Sequence, residues 1–339
     1  MRGIVVTQRI DPADAVLGAA AAKVTALASL LDEVVVLADA AVDEALPENC
    51  RVHPYRSATR PGRGLRFEAA LARELARRPR PAFVLAHMCP IYAVLAAPLA
   101  RPLRVPVLLW FTHWRASQLL RLAERLSSAV VTVEERTFPL ASRKVVPIGH
   151  GIELGIFPCV GRPARDPLRL LALGRTSPAK GLDTVIRAVA AATGVVLEVV
   201  GPSATAEEQA HRAELERLVG ELGVGDRVTL PGAVPRDRVP ALLADVDALV
   251  NNMRAGATDK VVYEAAATCL PVLASNPALD TFLPAELRFE RDDPDSLAER
   301  IRALAVADRT RLGRELRARV EHDHSVDGWA RRIVEVATR

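Results

Sequence analysis

Short apolar runs alternate with longer segments of helical period along the whole chain. In the first half, residues 3–7 (GIVVT), 33–38 (EVVVLA), 83–86 (FVLA), 105–111 (VPVLLWF) and 129–133 (AVVTV) have the length and composition of strands buried on both faces. Between them, residues 15–31, 65–78, 91–100 and 117–126 read as helices. The second half repeats the scheme, with strands predicted at 168–173, 195–200, 227–230, 248–250 and 271–274. Helices are predicted there at 181–193, 206–222, 238–244 and 261–268. Such alternation predicts an α/β fold, a parallel sheet with right-handed crossovers in each half. Residues 157–167 (FPCVGRPARDP) carry three prolines and no periodicity, so they are the expected linker between two domains that meet near residue 160. With two such domains facing each other, the expected ligand site is the cleft between them, at loops that follow strands.

Composition narrows the class. Of 339 residues half are hydrophobic and a quarter charged, which excludes a disordered or fibrous chain. No apolar run reaches the roughly 18 residues of a membrane span. The opening MRGIVVTQRID reads as a strand followed by polar residues rather than as a secretory leader. Cys50, Cys89, Cys159 and Cys269 show no pairing rhythm, so the expectation is no disulfide framework and a reducing, cytoplasmic setting. Residues 1–158 hold 20 Lys/Arg against 14 Asp/Glu, whereas 159–339 hold 25 against 27, so the positive excess belongs to the first half. Aromatics are only 4% and no dense basic stripe exists, which argues against a nucleic-acid partner.

Neither a GxGxxG fingerprint after a strand nor a GxxxxGK[ST] loop is present. Asp245-Val246-Asp247 has the spacing of a metal-binding pair, but it sits where a predicted helix meets a predicted strand and reads as a solvated turn. Cys50/His53 and His87/Cys89 offer too few ligands for zinc, so no metal cofactor is expected. The informative stretch is Gly174-Arg175-Thr176-Ser177-Pro178-Ala179-Lys180-Gly181, after a strand and before a helix. Glycines at both ends permit a tight turn, and Arg175 and Lys180 bring cations to a helix N-terminus, as a diphosphate requires. Taken alone, such an Arg/Lys loop is more often a solvated surface. The second stretch is 256–275, GATDKVVYEAAATCLPVLAS, with a helix starting near Thr258 or Asp259. Glu264 falls on its alanine-rich body, where a carboxylate must be paired or face a ligand.

In order and spacing, these two segments resemble the C-terminal domain of glycosyltransferase family 4, whose pattern is G-R-x-x-x-x-K-G followed by E-x-F-G-x-x-x-x-E-A-x-A-x-G-x-P-V-x-A-S. Thr7-Gln8 through Gly18, His87 to Tyr92, Trp110 to His113 and Gly149 to Glu153 resemble a subgroup acting in polysaccharide and secondary glycoside synthesis. Pro231 to Pro235 resembles the loop that touches the nucleotide base through its backbone, and Ser325 to Trp329 the segment that crosses back to the first domain. The resemblance implies a GT-B fold: two Rossmann-like domains facing across a cleft. Residues 1–158 would bind the acceptor, 159–320 the nucleotide sugar, and 321–339 would form a helix packing back on the first domain.

The implied activity is metal-independent transfer of a sugar from a nucleoside-diphosphate sugar, with retention by front-face attack. Arg175 and Lys180 would neutralise the diphosphate and Glu264 would accept hydrogen bonds from the ribose, while Gly18, Gly174, Val234 and Thr258 would shape the donor site. His113 matches the family histidine near the donor sugar and acceptor; a core histidine between Phe111 and Trp114 is the other reading. Asp14, His87 and His150 fall on the acceptor side. Two departures stand out. Gly256 occupies the place of the first family glutamate, and Asp259-Lys260 replace the usual helix start. Asp259 would be either the helix cap or a replacement ligand for a sugar hydroxyl, and Lys260 a third cation for the diphosphate. Gly256 keeps a catalytically silent partner subunit open as an alternative, and the fold keeps a sugar-nucleotide epimerase open. The acceptor is a small molecule, a glycan or a lipid-linked glycan. Helix 65–78, with Leu65, Leu71 and Leu75 apart from Arg66, Arg73 and Arg77, is either a peripheral contact to anionic lipid on the inner membrane face or an ordinary domain helix.

Overall fold

The apolar runs that open each half of the chain become interior strands of two all-parallel sheets, shown in a computed structural model that describes residues 1–11, 18–41, 46–163 and 165–339. The described chain divides into two units: Met1–Gly151 with Asp323–Arg339, and Ile152–His322.

Unit 1 holds β1 (Arg2–Ile10), β2 (Glu33–Ala41), β3 (Cys50–Pro54), β4 (Phe83–His87), β5 (Val107–Trp110), β6 (Ala129–Thr132) and β7 (Val145–Pro147), in the order β3-β2-β1-β4-β5-β6-β7. Its register sets Ile4 beside Val35 and Val84. These three are fully buried in a core closed by Phe67 and Leu71. The two edge strands were not anticipated. CRVHP and VVP lack an apolar run and are only partly buried, as befits edges ending in proline. The helices are α1 (Ala19–Ala28), α2 (Arg60–Ala76), α3 (Pro90–Ala100) and α4 (Gln118–Leu126). α2 starts five residues before its apolar period because Thr59 caps it, accepting from the Gly62 N–H at 3.2 Å, and Pro61 suits the first turn. Phe67, Leu71 and Leu75 on α2 are buried in the core, which leaves Leu65 exposed. The stripe that suggested a lipid-facing helix is therefore largely spent on the protein's own sheet. Among the described residues no helix is long and apolar enough to cross a membrane.

Unit 2 holds β8 (Leu168–Leu173), β9 (Val195–Val200), β10 (Val228–Gly232), β11 (Ala248–Asn251) and β12 (Val272–Ala274), in the order β10-β9-β8-β11-β12. Its helices are α5 (Leu182–Ala191), α6 (Ala206–Glu221), α7 (Val239–Ala244), α8 (Lys260–Ala267), α9 (Pro294–Val306) and α10 (Arg309–Arg319). α9 is capped by Asp293, which accepts from the Asp295 and Ser296 N–H groups at 3.0 Å. The chain returns to unit 1 through α11 (Val326–Thr338), where Trp329 meets Trp110 edge-on at 5.5 Å.

The proline-rich segment 157–167 is not a free linker. Phe157 is buried, Val160 N–H donates to the Thr268 carbonyl at 3.2 Å, and the Arg162 guanidinium donates to the carbonyls of Leu243, Val246 and Thr268 at 2.9–3.0 Å. Cys159 is disulfide-bonded to Cys269, which corrects the expectation that the cysteines are unpaired. The partners lie 110 residues apart, so no local spacing could betray them. Cys269 follows α8 at φ +59°, in the place where the family pattern has glycine. Cys50 and Cys89 remain free, and burial pushes both thiols up to about 11.

Candidate functional site

In unit 2 the strand order reverses between β8 and β11, and in open α/β sheets ligands bind outside the carboxyl ends of strands at such a switch point. Gly174 leaves β8 at φ +142°, where a Cβ would come within 3.0 Å of the Lys180 Nζ. Gly201, at the end of β9, packs so closely that any Cβ there would collide with the Gly174 carbonyl. The loop then runs through a turn at Pro178–Lys180 and enters α5 through Gly181 at φ +52°, with Asn252 of the β11 loop packed against it. Gly174, Arg175, Lys180, Asn251 and Asn252 thus line one small pocket.

The charges around this loop are already partnered. Arg175 donates to Glu208 Oε1 at 3.0 Å yet leaves 62% of its side chain exposed. Glu208 is itself fixed, completing a capping box with Thr205 at the start of α6. Lys180 forms an ion pair with Asp259 Oδ2, and Asn251 Nδ2 donates to the same oxygen at 2.9 Å. Asp259 precedes α8 but its side chain caps no N–H, which corrects the helix-cap reading. Lys260 does not join Lys180. Its ammonium lies 2.9 Å from Glu264 Oε1, one turn along its own helix, and Arg236 Nη2 donates to the same oxygen at 3.0 Å. Burial lowers the Lys260 pKa, with Glu264 opposing the shift and Arg236 adding to it. The cation expected at the diphosphate is therefore spent on neutralising a buried carboxylate.

Arg236, Glu208 and Asn251 were missed by the sequence reading. Glu264 gave the one available signal, since a buried carboxylate demands a cation. Arg236 lies just beyond Val234, in the half-buried loop after β10. Thr258 Oγ1 and Asn251 Oδ1 are buried with no hydrogen-bond partner, so two polar atoms remain to be satisfied. Gly256 holds φ +116°, a backbone conformation that a glutamate would adopt only under strain.

The remaining candidates lie in unit 1. His87 ends β4 at the β1/β4 switch point, its Nδ1 3.4 Å from Thr7 Oγ1. Burial, then the Lys23 charge, push its pKa down to about 3, so it is neutral. Lys23 itself lies over the Trp110 ring at 4.3 Å and the Trp329 ring at 5.1 Å. Gly18 is buried in the turn that opens α1. The backbone N–H of buried His150 donates to His324 Nδ1 at 3.3 Å. Burial lowers His324 to about 3 and raises its neighbour Glu134 to about 7, the Asp323 charge adding to the latter. His113 is exposed and stacked on Trp114 at 5.5 Å, with Nδ1 accepting from the Arg115 N–H at 3.0 Å. It is not the core histidine of the alternative reading. Asp14 lies outside the described residues.

Asp245 pairs with Arg169 and Arg165, whereas Asp247 is buried rather than on a solvated turn and accepts from the Arg169 N–H at 2.9 Å. Among the described residues no group of three or more His, Cys, Asp or Glu is placed to hold a metal ion.

Residues 161–320 match the family described as glycosyl transferases group 1. A GDP-mannose-dependent alpha-(1-6)-phosphatidylinositol monomannoside mannosyltransferase of Mycobacterium tuberculosis is 34% identical over 118 residues, which are 32% of this chain and 29% of that protein. The match thus spans less than a third of that relative's length. Over 99% of the chain, the structure resembles sucrose-phosphate synthase from Thermosynechococcus elongatus, with a TM-score of 0.76, 20% identity and 98% of that chain covered. It also resembles Anabaena Alr3699/HepE in complex with UDP, with a TM-score of 0.78, 17% identity, and 99% of each chain covered. A glycosyltransferase from Rickettsia africae scores 0.79 at 14% identity, with 99% of this chain and 97% of that one covered. The chain has the GT-B fold, two Rossmann-like α/β units, and residues 161–320 of the second are similar to the glycosyl transferases group 1 family.

Proposed function

We propose that the chain is a retaining glycosyltransferase that takes a sugar from a nucleoside-diphosphate sugar and needs no metal. The observation that carries this reading is the Gly174–Gly181 loop at the β8/β11 switch point, where Arg175 and Lys180 offer cations beside the start of α5. Breaking the anomeric C–O bond puts positive charge on the sugar and further negative charge on the departing diphosphate. Cations fixed before the reaction stabilise that charge as it develops, and removing one such group commonly costs on the order of a hundredfold in rate. Lys180 would exchange Asp259 for phosphate, and Asp259, once released, would be free for a sugar hydroxyl. Glu264, held by Arg236 and Lys260, would accept from the ribose hydroxyls. The leaving phosphate oxygen would take the acceptor's proton, so the reaction calls for neither a metal nor a second carboxylate. Unit 1 would supply the acceptor side, with His113 near the reacting sugar and His87 and His150 as positioning groups.

The neighbours support a nucleotide-sugar donor: HepE has been seen with UDP and with UDP-glucose, and the mycobacterial relative is GDP-mannose-dependent. The test is to incubate the protein with a panel of UDP- and GDP-hexoses, with and without acceptor, in excess chelator. The expected result is acceptor-dependent release of nucleoside diphosphate, with the donor's anomeric configuration kept in the product. Conversion of the donor to its epimer without acceptor would overturn the transfer reading. Gly256 favours one other reading, a silent partner subunit, and donor binding without release for any acceptor would establish it.

A further inference from the structure

Unit 1 contains a pocket that none of the roles above uses. Its volume is about 660 Å³, and it is lined by Arg9, Asp39, Arg56, Ser57, Arg63 and Arg66. The topology explains the gathering. β1, β2 and β3 are neighbours and parallel, so Arg9, Asp39 and the turn after β3 emerge at the same end of the sheet. The first turns of the 17-residue α2 present Arg63 and Arg66 there, beside the positive end of the helix dipole.

Among the described residues, the pocket has four guanidinium groups and one carboxylate. Asp39 Oδ1 lies 3.5 Å from Arg63 Nε. Arg66 Nη1 donates to the Arg56 carbonyl at 2.5 Å, which ties the turn to the helix. Arg56 and Arg66 make no ion pair with a carboxylate among the described residues. Crowded like charges repel, and they cost least when an anion occupies the space between them. Arginine forks match the oxygens of a phosphate two at a time. The pocket is larger than one phosphate and falls in the usual range of small-molecule sites, roughly 300–1,000 Å³.

We propose that this pocket binds a phosphate-bearing group of the acceptor, a phosphomonoester or phosphodiester carried on a polyol or sugar. Naming the bound molecule the acceptor rests on the transfer reading; the anion affinity does not. The test is calorimetric titration of the full chain with glycerol 3-phosphate and, separately, with vesicles of phosphatidylglycerol or phosphatidylcholine. Three proteins are compared: wild type, Arg56→Ala/Arg66→Ala, and Arg175→Ala as a control in unit 2. Both replaced arginines of the double variant are exposed, so its melting temperature should match the wild type. The expected result is that glycerol 3-phosphate or phosphatidylglycerol binds wild type and Arg175→Ala alike, and the double variant about tenfold more weakly or worse. Binding of glycerol 3-phosphate identifies a soluble phosphoester as the source, and binding of phosphatidylglycerol vesicles alone identifies a lipid headgroup. Arg56→Lys/Arg66→Lys should restore part of the loss. Equal affinity of wild type and the double variant for every probe would overturn the proposal. If UDP and GDP bind none of the proteins while the arginine dependence holds, the transfer reading fails and the anion site stands.

Discussion

Lys180 is the side chain on which the proposed phosphate site turns, and it is already paired with Asp259. Its ion pair with Asp259 is largely shielded from solvent, and Asn251 steadies the same carboxylate. Under the proposed function, a diphosphate would therefore compete with Asp259. Asp259→Asn should tighten nucleoside diphosphate binding by roughly fivefold, about 1 kcal/mol, as measured by calorimetry. Unchanged or weaker binding would show that Asp259 does not compete. Protonation supplies a second prediction. His87 and His324 sit near 3 when folded against an ordinary value of 6.5, so their neutral state is stabilising above 6.5 and that contribution is lost as pH falls below it. Each loss approaches about 1.4 kcal/mol per pH unit. Glu134, raised to about 7, runs the other way, with its contribution full below its ordinary 4.5 and lost as pH rises through 7. Urea titrations from acid to neutral pH should show His87→Gln flattening the acid limb and Glu134→Gln the neutral one. Arg175, Lys180 and Glu264 were legible because motif and burial point to them. Arg236 and Glu208 were not, since they reach their partners across 28 and 33 residues of chain.

At the scale of elements, α2 shows what pattern alone conceals. Its charges read as a solvated face, yet Glu74 turns inward to 2% exposure. There it meets Arg2 of β1 at 2.8 Å, His53 of β3 at 3.2 Å, Arg51 of β3 at 3.3 Å, and Arg77 at 2.9 Å. Helical periodicity sees one face at a time, whereas this cluster joins a helix to two strands. Removing one partner of a buried pair leaves the other charge stranded. Glu74→Ala should therefore cost about 3–5 kcal/mol, because Arg2 is equally buried. Chemical denaturation of the variant measures this; a cost under about 1 kcal/mol would mean that the pair is solvated after all. The central strands were legible for the converse reason, being short continuous apolar runs buried on both faces. β3 and β7, half-wet edges ending in Pro54 and Pro147, had no such signature.

For the whole molecule, charge and chemistry divide differently between the units. The positive excess lies in the first half, but the loop proposed to hold the diphosphate belongs to the acidic second half, where Arg175, Lys180 and the start of α5 lie together. The chain's organisation into two α/β units could be read from alternation, whereas the attachment of residues 157–167 to unit 2 could not. That attachment depends on Arg162 and on the disulfide closing a 110-residue span. Reduction, or Cys159→Ser, should lower the stability of unit 2 by about 2–4 kcal/mol, seen as a lower denaturant midpoint. An unchanged midpoint would mean that the crosslink constrains little beyond what Arg162 already holds. Whether the Gly174–Gly181 loop holds the diphosphate of a nucleotide sugar is decided by thermal unfolding of wild type and Lys180→Ala with a panel of nucleotide sugars. A bound donor raises the melting temperature by mass action. At least one UDP- or GDP-sugar should stabilise the wild type, and Lys180→Ala should abolish the shift. An equal shift in both proteins, or none with any nucleotide sugar, would contradict that role of the loop.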